Sequence, residues 1–197
     1  GEARLRLGLA QDDVLFLAFG NFRRDKDYPT LFSALAGVKS TRIKLMLVGH
    51  LAEYSQEELD GFIDAADVRQ KIAVMHTQFA SPQQVREFFS ACDVLILPYG
   101  RLYTDGSGPL RKEAATYARA VLASDVAEMG DLLRVYNLGK VYPAGDPAAL
   151  AVAMDEFASL SPTIRDSWGQ SCRNLGAINS WTAMAEKFSA FFNGSKA

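Results

Sequence analysis

Three short apolar runs, each closed by a turn residue, constrain this chain more than any other feature. Val14-Leu15-Phe16-Leu17-Ala18-Phe19 ends at Gly20, Lys44-Leu45-Met46-Leu47-Val48 ends at Gly49, and Asp93-Val94-Leu95-Ile96-Leu97 ends at Pro98. Runs this short and apolar on successive residues offer no polar face to water, so they predict strands buried on both sides, as in a parallel sheet. Weaker segments at Ile72 to His76, Ala120 to Ser124 and Gly139 to Tyr142 complete a set of six. Between the runs lie helical patterns at Thr30 to Val38, Gln56 to Ala66, Pro82 to Ala91, Pro109 to Ala118, Glu128 to Val135 and Pro147 to Ser159. Ser81-Pro82 and Asp146-Pro147 are recognisable helix starts, a capping side chain followed by proline in the first turn. Such alternation predicts an α/β fold, a doubly wound, Rossmann-like parallel sheet of six strands. Residues 163–192 continue as helices with no strand to follow, and the polar end Asn193 to Ala197 is expected to fray.

At 197 residues the chain suits one domain, spanning 1–197, and leaves no room for two of full size. An apolar fraction of 49% with 22% charged residues predicts a packed core rather than disorder. The 21 Lys and Arg against 23 Asp and Glu leave a net charge of −2, which argues against a nucleic-acid partner, since such domains carry a basic surplus. Two cysteines, Cys92 and Cys172, are too few for a disulfide framework, and Cys92 before an apolar run reads as a reduced, buried thiol. No apolar run approaches the ~20 residues of a transmembrane helix, and no signal segment opens the chain, so a soluble protein in a reducing compartment is expected.

Ligands of doubly wound sheets bind at the carboxyl ends of the strands. The first strand opens there into Gly20-Asn21-Phe22-Arg23-Arg24-Asp25-Lys26-Asp27, whose three cations suit a phosphate; a solvated surface loop is the plain alternative. Asp25 and Asp27 have a metal-like spacing, but Lys26 stands between them and no third ligand is identifiable. After the fourth strand, Asp105-Gly106-Ser107-Gly108-Pro109 leads into a helix, and the amides around Ser107, Gly108 and Leu110 are predicted to face an anion, unless the turn is simply a cap. Glu113, one turn in, can accept hydrogen bonds from ribose hydroxyls or merely favour the helix start. His50 and His76 read as rim or core histidines without a catalytic or metal partner.

In order and spacing these elements resemble one family. The succession Phe19-Gly20-Asn21-Phe22-Arg23 to Lys26, Leu45 to Gly49, Asp93 to Pro98, Glu113-Ala114, Ala120 to Asp125, Gly139 to Pro143 with Asp146, and the late Ser180-Trp181 is similar to the carboxyl-terminal domain of GT-B glycosyltransferases of the family 4, or group 1, type. The resemblance implies that the chain is the C-terminal half of a GT-B fold. It would hold a nucleotide-diphosphate sugar, transferred with retention of configuration to an acceptor on a preceding domain; Gly1-Glu2 looks like a boundary within a longer protein. By resemblance Arg23 and Lys26 are the catalytic cations that stabilise the departing diphosphate, with no metal required and the nucleotide sugar a substrate rather than a cofactor. Gly20 and Asn21 line the phosphate loop, although Asn21 stands where the family has Arg, and Arg23 or Arg24 substitutes, Arg23 being preferred. The family's acidic pair maps onto Asp105 and Glu113, with Glu113 on the ribose and Asp105, Ser107 or Gly108 toward the sugar or diphosphate. Base recognition falls near Thr77-Gln78-Phe79-Ala80, where Phe79 is equally a candidate core anchor. The same resemblance implies a cytoplasmic enzyme of glycan biosynthesis, with any contact to the inner membrane surface made through the other domain.

Two further readings remain. The changes at Asn21 and Asp105 allow a non-catalytic nucleotide-sugar-binding domain of a degenerate transferase. An unrelated doubly wound domain, such as a flavin module, is also compatible with the fold, because fold does not fix function.

Overall fold

The computed structural model describes residues 2–194, so Gly1 and the end of the predicted polar tail, residues 195–197, lie outside the described residues. In chain order the elements are α1 (Glu2–Arg6), β1 (Val14–Phe19), α2 (Tyr28–Gly37), β2 (Ile43–Val48), α3 (Gln56–Ala65), β3 (Ile72–His76), α4 (Pro82–Ala91), β4 (Val94–Leu97), α5, β5 (Ala120–Ser124), α6 (Met129–Tyr136), β6 (Gly139–Tyr142), α7 (Pro147–Ser159), α8 (Pro162–Ile178) and α9 (Trp181–Gly194). Helix α5 is π-helical over Pro109–Ala114 and α-helical over Ala115–Tyr117.

Boundaries depart from expectation where side chains cap the elements. α2 starts at Tyr28 rather than Thr30 because the Asp27 carboxylate accepts from the Thr30 amide at 3.1 Å and its hydroxyl at 2.6 Å. β4 starts after Asp93, whose carboxylate accepts from the Leu15 amide at 2.8 Å and from Arg4 at 3.0 Å. The short α1 and a 3-10 turn at Arg69–Lys71 have no counterpart in the sequence reading.

The strands pair in parallel in the order β3-β2-β1-β4-β5-β6. The chain winds outward from β1 to β3, then returns to lay β4 on the other side of β1. Alternate residues of each strand feed opposite cores, as a two-residue period requires. Phe16, Leu45, Leu47 and Ile96 pack with Leu31, Phe32 and Phe157 of α2 and α7, while Leu15, Leu17, Met46 and Leu95 pack with Phe89, Leu133 and Leu175 of α4, α6 and α8. Each such large side chain contributes about 1.5–3 kcal/mol by leaving water. Cys92 and Cys172 are free and buried in the second core. Among the described residues no helix is long and apolar enough to cross a membrane.

Hydrogen bonding continues past the strand ends, from the Gly20 amide to Val48 O and from the Phe22 amide to His50 O, both at 2.9 Å. This carries the end of β2 against the loop that follows β1. A Cβ on Gly49 would stand 2.2 Å from Gly20 O, closer than any side chain allows. Gly49→Ala is therefore expected to lower stability by about 1–3 kcal/mol through overpacking. Gly61→Ala, in α3 with open space around it, should raise stability by about 0.5–1 kcal/mol. Urea unfolding of both variants checks the pair; an unchanged midpoint for Gly49→Ala would show that the loop yields.

Candidate functional site

The reversal of winding places a crevice between the carboxyl ends of β1 and β4, the position where open α/β sheets bind ligands. The loops leaving the two strands are stitched together there. The Asp27 amide donates to Pro98 O at 2.6 Å, the Gly100 amide donates to Asp25 O at 2.8 Å, and Lys26 forms an isolated antiparallel bridge with Tyr99.

Lys26 lies at the centre of this arrangement. It is only 4% exposed, and its Nζ donates to Phe19 O at 2.9 Å. A Cβ on Gly20, whose φ is +99°, would stand 3.2 Å from that Nζ and 3.8 Å from Pro109 at the start of α5. The loop of Gly20 and Lys26 and the first turn of α5 thus meet at Gly20, although some eighty residues separate the two segments. Burial pushes the Lys26 pKa down to about 7, against the pull of Asp25 and with a smaller push from Arg23. A buried lysine titrating near neutrality in a crevice is a candidate functional position.

The other cations of the loop part company. Arg24 donates to Glu58 at 2.6 Å and lies 4.2 Å over the Tyr54 ring, which commits it to the start of α3. Arg23 is half exposed and pairs with Asp25 at 2.8 Å, so of the two arginines it is the one left beside the crevice. Asp27 caps α2 and Asp25 holds Arg23; among the described residues no group of three or more His, Cys, Asp or Glu is placed to hold a metal ion.

At the start of α5 one expectation needs correcting. Ser107 is fully buried, and its Oγ accepts from the Leu110 amide at 3.3 Å, so Leu110 is capped rather than free for an anion. The Ser107 and Gly108 amides make no hydrogen bond among the described residues. Tyr103 donates to Gly106 O at 2.9 Å, and Arg111 pairs through two nitrogens with Glu128, whose Oε1 would stand 2.9 Å from a Cβ on Gly106. The sequence reading missed this clasp, because nothing local links residues so far apart. Asn21 and Asp105 are both exposed on the rim.

Glu113, its side chain 15% exposed, lines a cavity of about 360 Å³ with Phe19, Ala80, Pro82 and Tyr117, and lies 3.4 Å from the Lys112 ammonium. This places it at the end of β1 and opposite the loop between β3 and α4. Phe79 of that loop is 77% exposed and stacks on His50 with ring centroids 4.3 Å apart, which excludes the core-anchor reading. A second cavity of about 510 Å³ lies beyond β5 and β6, but its charges are engaged: Arg134 with Asp125, and Arg101 with Ala144 O.

A model of the family described as "Glycosyl transferases group 1" matches residues 2–175. D-inositol 3-phosphate glycosyltransferase of Streptomyces coelicolor is 27% identical over 200 residues, an alignment covering 95% of this chain and 43% of that protein. The chain therefore spans less than half the length of the curated relatives it matches. Among solved structures, sucrose-phosphate synthase from Thermosynechococcus elongatus superposes with a TM-score of 0.77 at 23% identity, over 98% of this chain and 48% of that one. Anabaena HepE, solved in complex with UDP and glucose, gives 0.75 at 18% identity over 96% and 51%. At these identities the structural likeness shows the fold alone.

Burial of Lys26 has a consequence for stability. Between pH of about 7 and the ordinary 10.5, the unfolded chain keeps a proton on Lys26 that the folded chain has lost. The unfolded state then binds more protons, so stability attributable to this residue rises with pH across that window and is lowest below it. Lys26→Met is expected to flatten the rise. Urea unfolding of both proteins at pH of about 7 and about 9.5 measures it, and parallel slopes would show that Lys26 keeps its proton when folded.

Proposed function

The chain belongs to the group 1 glycosyl transferases, and on that premise we propose that it is the carboxyl-terminal, donor-binding domain, of the family 4 type, of a two-domain retaining enzyme. The observation that carries the reading is the buried ammonium of Lys26, held in the crevice beside Gly20, which in turn faces Pro109 at the start of α5. A diphosphate in that crevice meets Lys26, Arg23 and the unpaired amides of Ser107 and Gly108. Its ribose reaches Glu113 in the adjoining cavity, the base lies toward Phe79 and Ala80, and the sugar extends toward Asp105 on the rim. HepE, solved with UDP and glucose, supports a nucleotide-sugar ligand for this fold.

The chemistry follows from charge. As the bond between the anomeric carbon and the diphosphate oxygen breaks, negative charge grows on the departing nucleoside diphosphate. The Lys26 ammonium, the Arg23 guanidinium and fixed amides are most stabilising there, because they need no reorganisation at the moment of transfer. In this reading these groups do the work without a metal. The acceptor hydroxyl is held by another domain, so this chain by itself binds donor and does not transfer sugar. The full enzyme works in the cytoplasm, and any membrane contact belongs to the acceptor side.

A second reading, a nucleotide-sugar-binding domain without catalysis, is favoured by Asn21 at the position of the family's arginine and by the exposure of Asp105 on the rim. The two differ in the complete protein: transfer to an acceptor supports the first, and donor binding without transfer or hydrolysis supports the second.

A thermal-shift panel of UDP, GDP, ADP and dTDP sugars identifies the donor, since a ligand bound only by the folded form raises its stability. Lys26→Ala and Arg23→Ala should each weaken nucleoside diphosphate binding by about 1–3 kcal/mol and leave nucleoside binding nearly unchanged. Equal losses for both ligands in calorimetry would remove these cations from the phosphate site. Glu113→Gln should lower affinity and reduce the preference for ribose over 2′-deoxyribose, because an acceptor for the hydroxyl is altered. If the variant melts slightly lower but binds both sugars as before, Glu113 serves only the helix.

A further inference from the structure

Arg23 stays by the crevice because of one carboxylate. Asp25 Oδ2 accepts from the Arg23 guanidinium at 2.8 Å, with the aspartate side chain 19% exposed and the arginine 50%. The backbone of Asp25 is pinned from the other side of the crevice, where its carbonyl accepts from the Gly100 amide. The second oxygen, Oδ1, is buried and has no hydrogen-bond partner among the described residues. Buried polar atoms are nearly always paired, so an unpaired carboxylate oxygen next to a buried lysine calls for a reason beyond folding.

We infer that Asp25 is a positioning residue of the proposed diphosphate site, holding Arg23 at its mouth with one oxygen and standing as the counter-charge of Lys26. The inference rests on the donor-site reading and adds to it the group that sets the state of both cations. Lys26 is pushed toward the neutral amine by burial, Asp25 opposes that push, and Arg23 adds to it. Other titratable groups around the lysine are phenols: Tyr28 on α2, Tyr54 ahead of α3, and Tyr99 and Tyr103 after β4. Burial raises the pKa of Tyr28, Tyr54 and Tyr103, so these three stay neutral where Lys26 titrates. Asp27 is engaged as the cap of α2, Asp105 lies out beyond Tyr103, and α5 presents Pro109, which carries no charge. A diphosphate entering the crevice favours the ammonium, and Lys26 takes a proton from solvent as it binds. Affinity is then highest below a pH of about 7, where the proton is already present, and falls as the pH rises.

The test uses calorimetry with UDP-, GDP-, ADP- and dTDP-glucose, whose diphosphate diesters do not titrate near neutrality. The tightest binder is carried through Asp25→Asn, Asp25→Glu and Arg23→Gln at pH of about 6 and about 8.5. Removing the counter-charge lowers the Lys26 pKa in the free protein, so Asp25→Asn should stay within about threefold of wild type at the lower pH and fall by about tenfold at the higher. Asp25→Glu should recover most of the loss. Arg23→Gln should weaken binding yet move the fall in affinity to higher pH, opposite to Asp25→Asn, and it decides the matter if Asp25→Asn does not fold. A loss by the same factor at both pH values, or an Arg23→Gln fall that does not shift upward, overturns the role of Asp25 while leaving the donor site standing. If wild type binds none of the four sugars, the donor-site reading fails and this inference with it.

Discussion

Two backbone hydrogen bonds across the crevice, Asp27 to Pro98 and Gly100 to Asp25, hold the rest of the site in place. They exist because the chain, after laying down β3, returns to set β4 beside β1, which brings the loops after both strands within bonding distance. With the Lys26–Tyr99 bridge and the Tyr54 hydroxyl donating to Lys26 O at 3.3 Å, they make the cation-bearing segment an extension of the sheet rather than a loose surface loop. Phe22 and Tyr28 anchor it from beneath, their rings tilted to one another with centroids 5.3 Å apart. The two buried aromatic rings hold the polar turn against the core, and the turn then holds the ammonium.

That arrangement accounts for which features could be read from the sequence. The strands were legible because consecutive apolar residues leave a short segment no choice but burial on both faces, and Ser81-Pro82 and Asp146-Pro147 marked α4 and α7 because caps act locally. The burial of Lys26 was not legible. Its own neighbours, two arginines and two aspartates, read as a solvated loop, and the segment that bridges to it through Tyr99 lies far along the chain. Choosing between Arg23 and Arg24 needed Glu58 and Tyr54, which draw Arg24 away from the crevice. Phe79 illustrates the converse: an aromatic beside a strand end suggests core, yet it is exposed and stacks on His50 at the rim.

The site also sets function against stability. Among the described residues the buried Lys26 ammonium has one carbonyl acceptor and Asp25 keeps an unpaired oxygen, both arrangements that folding alone would not select. In the proposed donor site an anionic diphosphate supplies the acceptor that Lys26 lacks, and the surrounding network is rigid enough to hold the ammonium until it arrives.

Helix α5 adds a constraint of another kind. Its first stretch, Pro109–Ala114, is π-helical, a wider coil that amounts to one additional residue within an otherwise regular helix. Loss of a single residue there would return the coil to the α form and leave the helix beyond in phase, because the widened turn is what absorbs the additional residue. What would change is the aim of the side chains inside the turn itself, among them Glu113 on its cavity wall. The additional residue therefore bears on the shape of that wall rather than on the packing of the helix that follows.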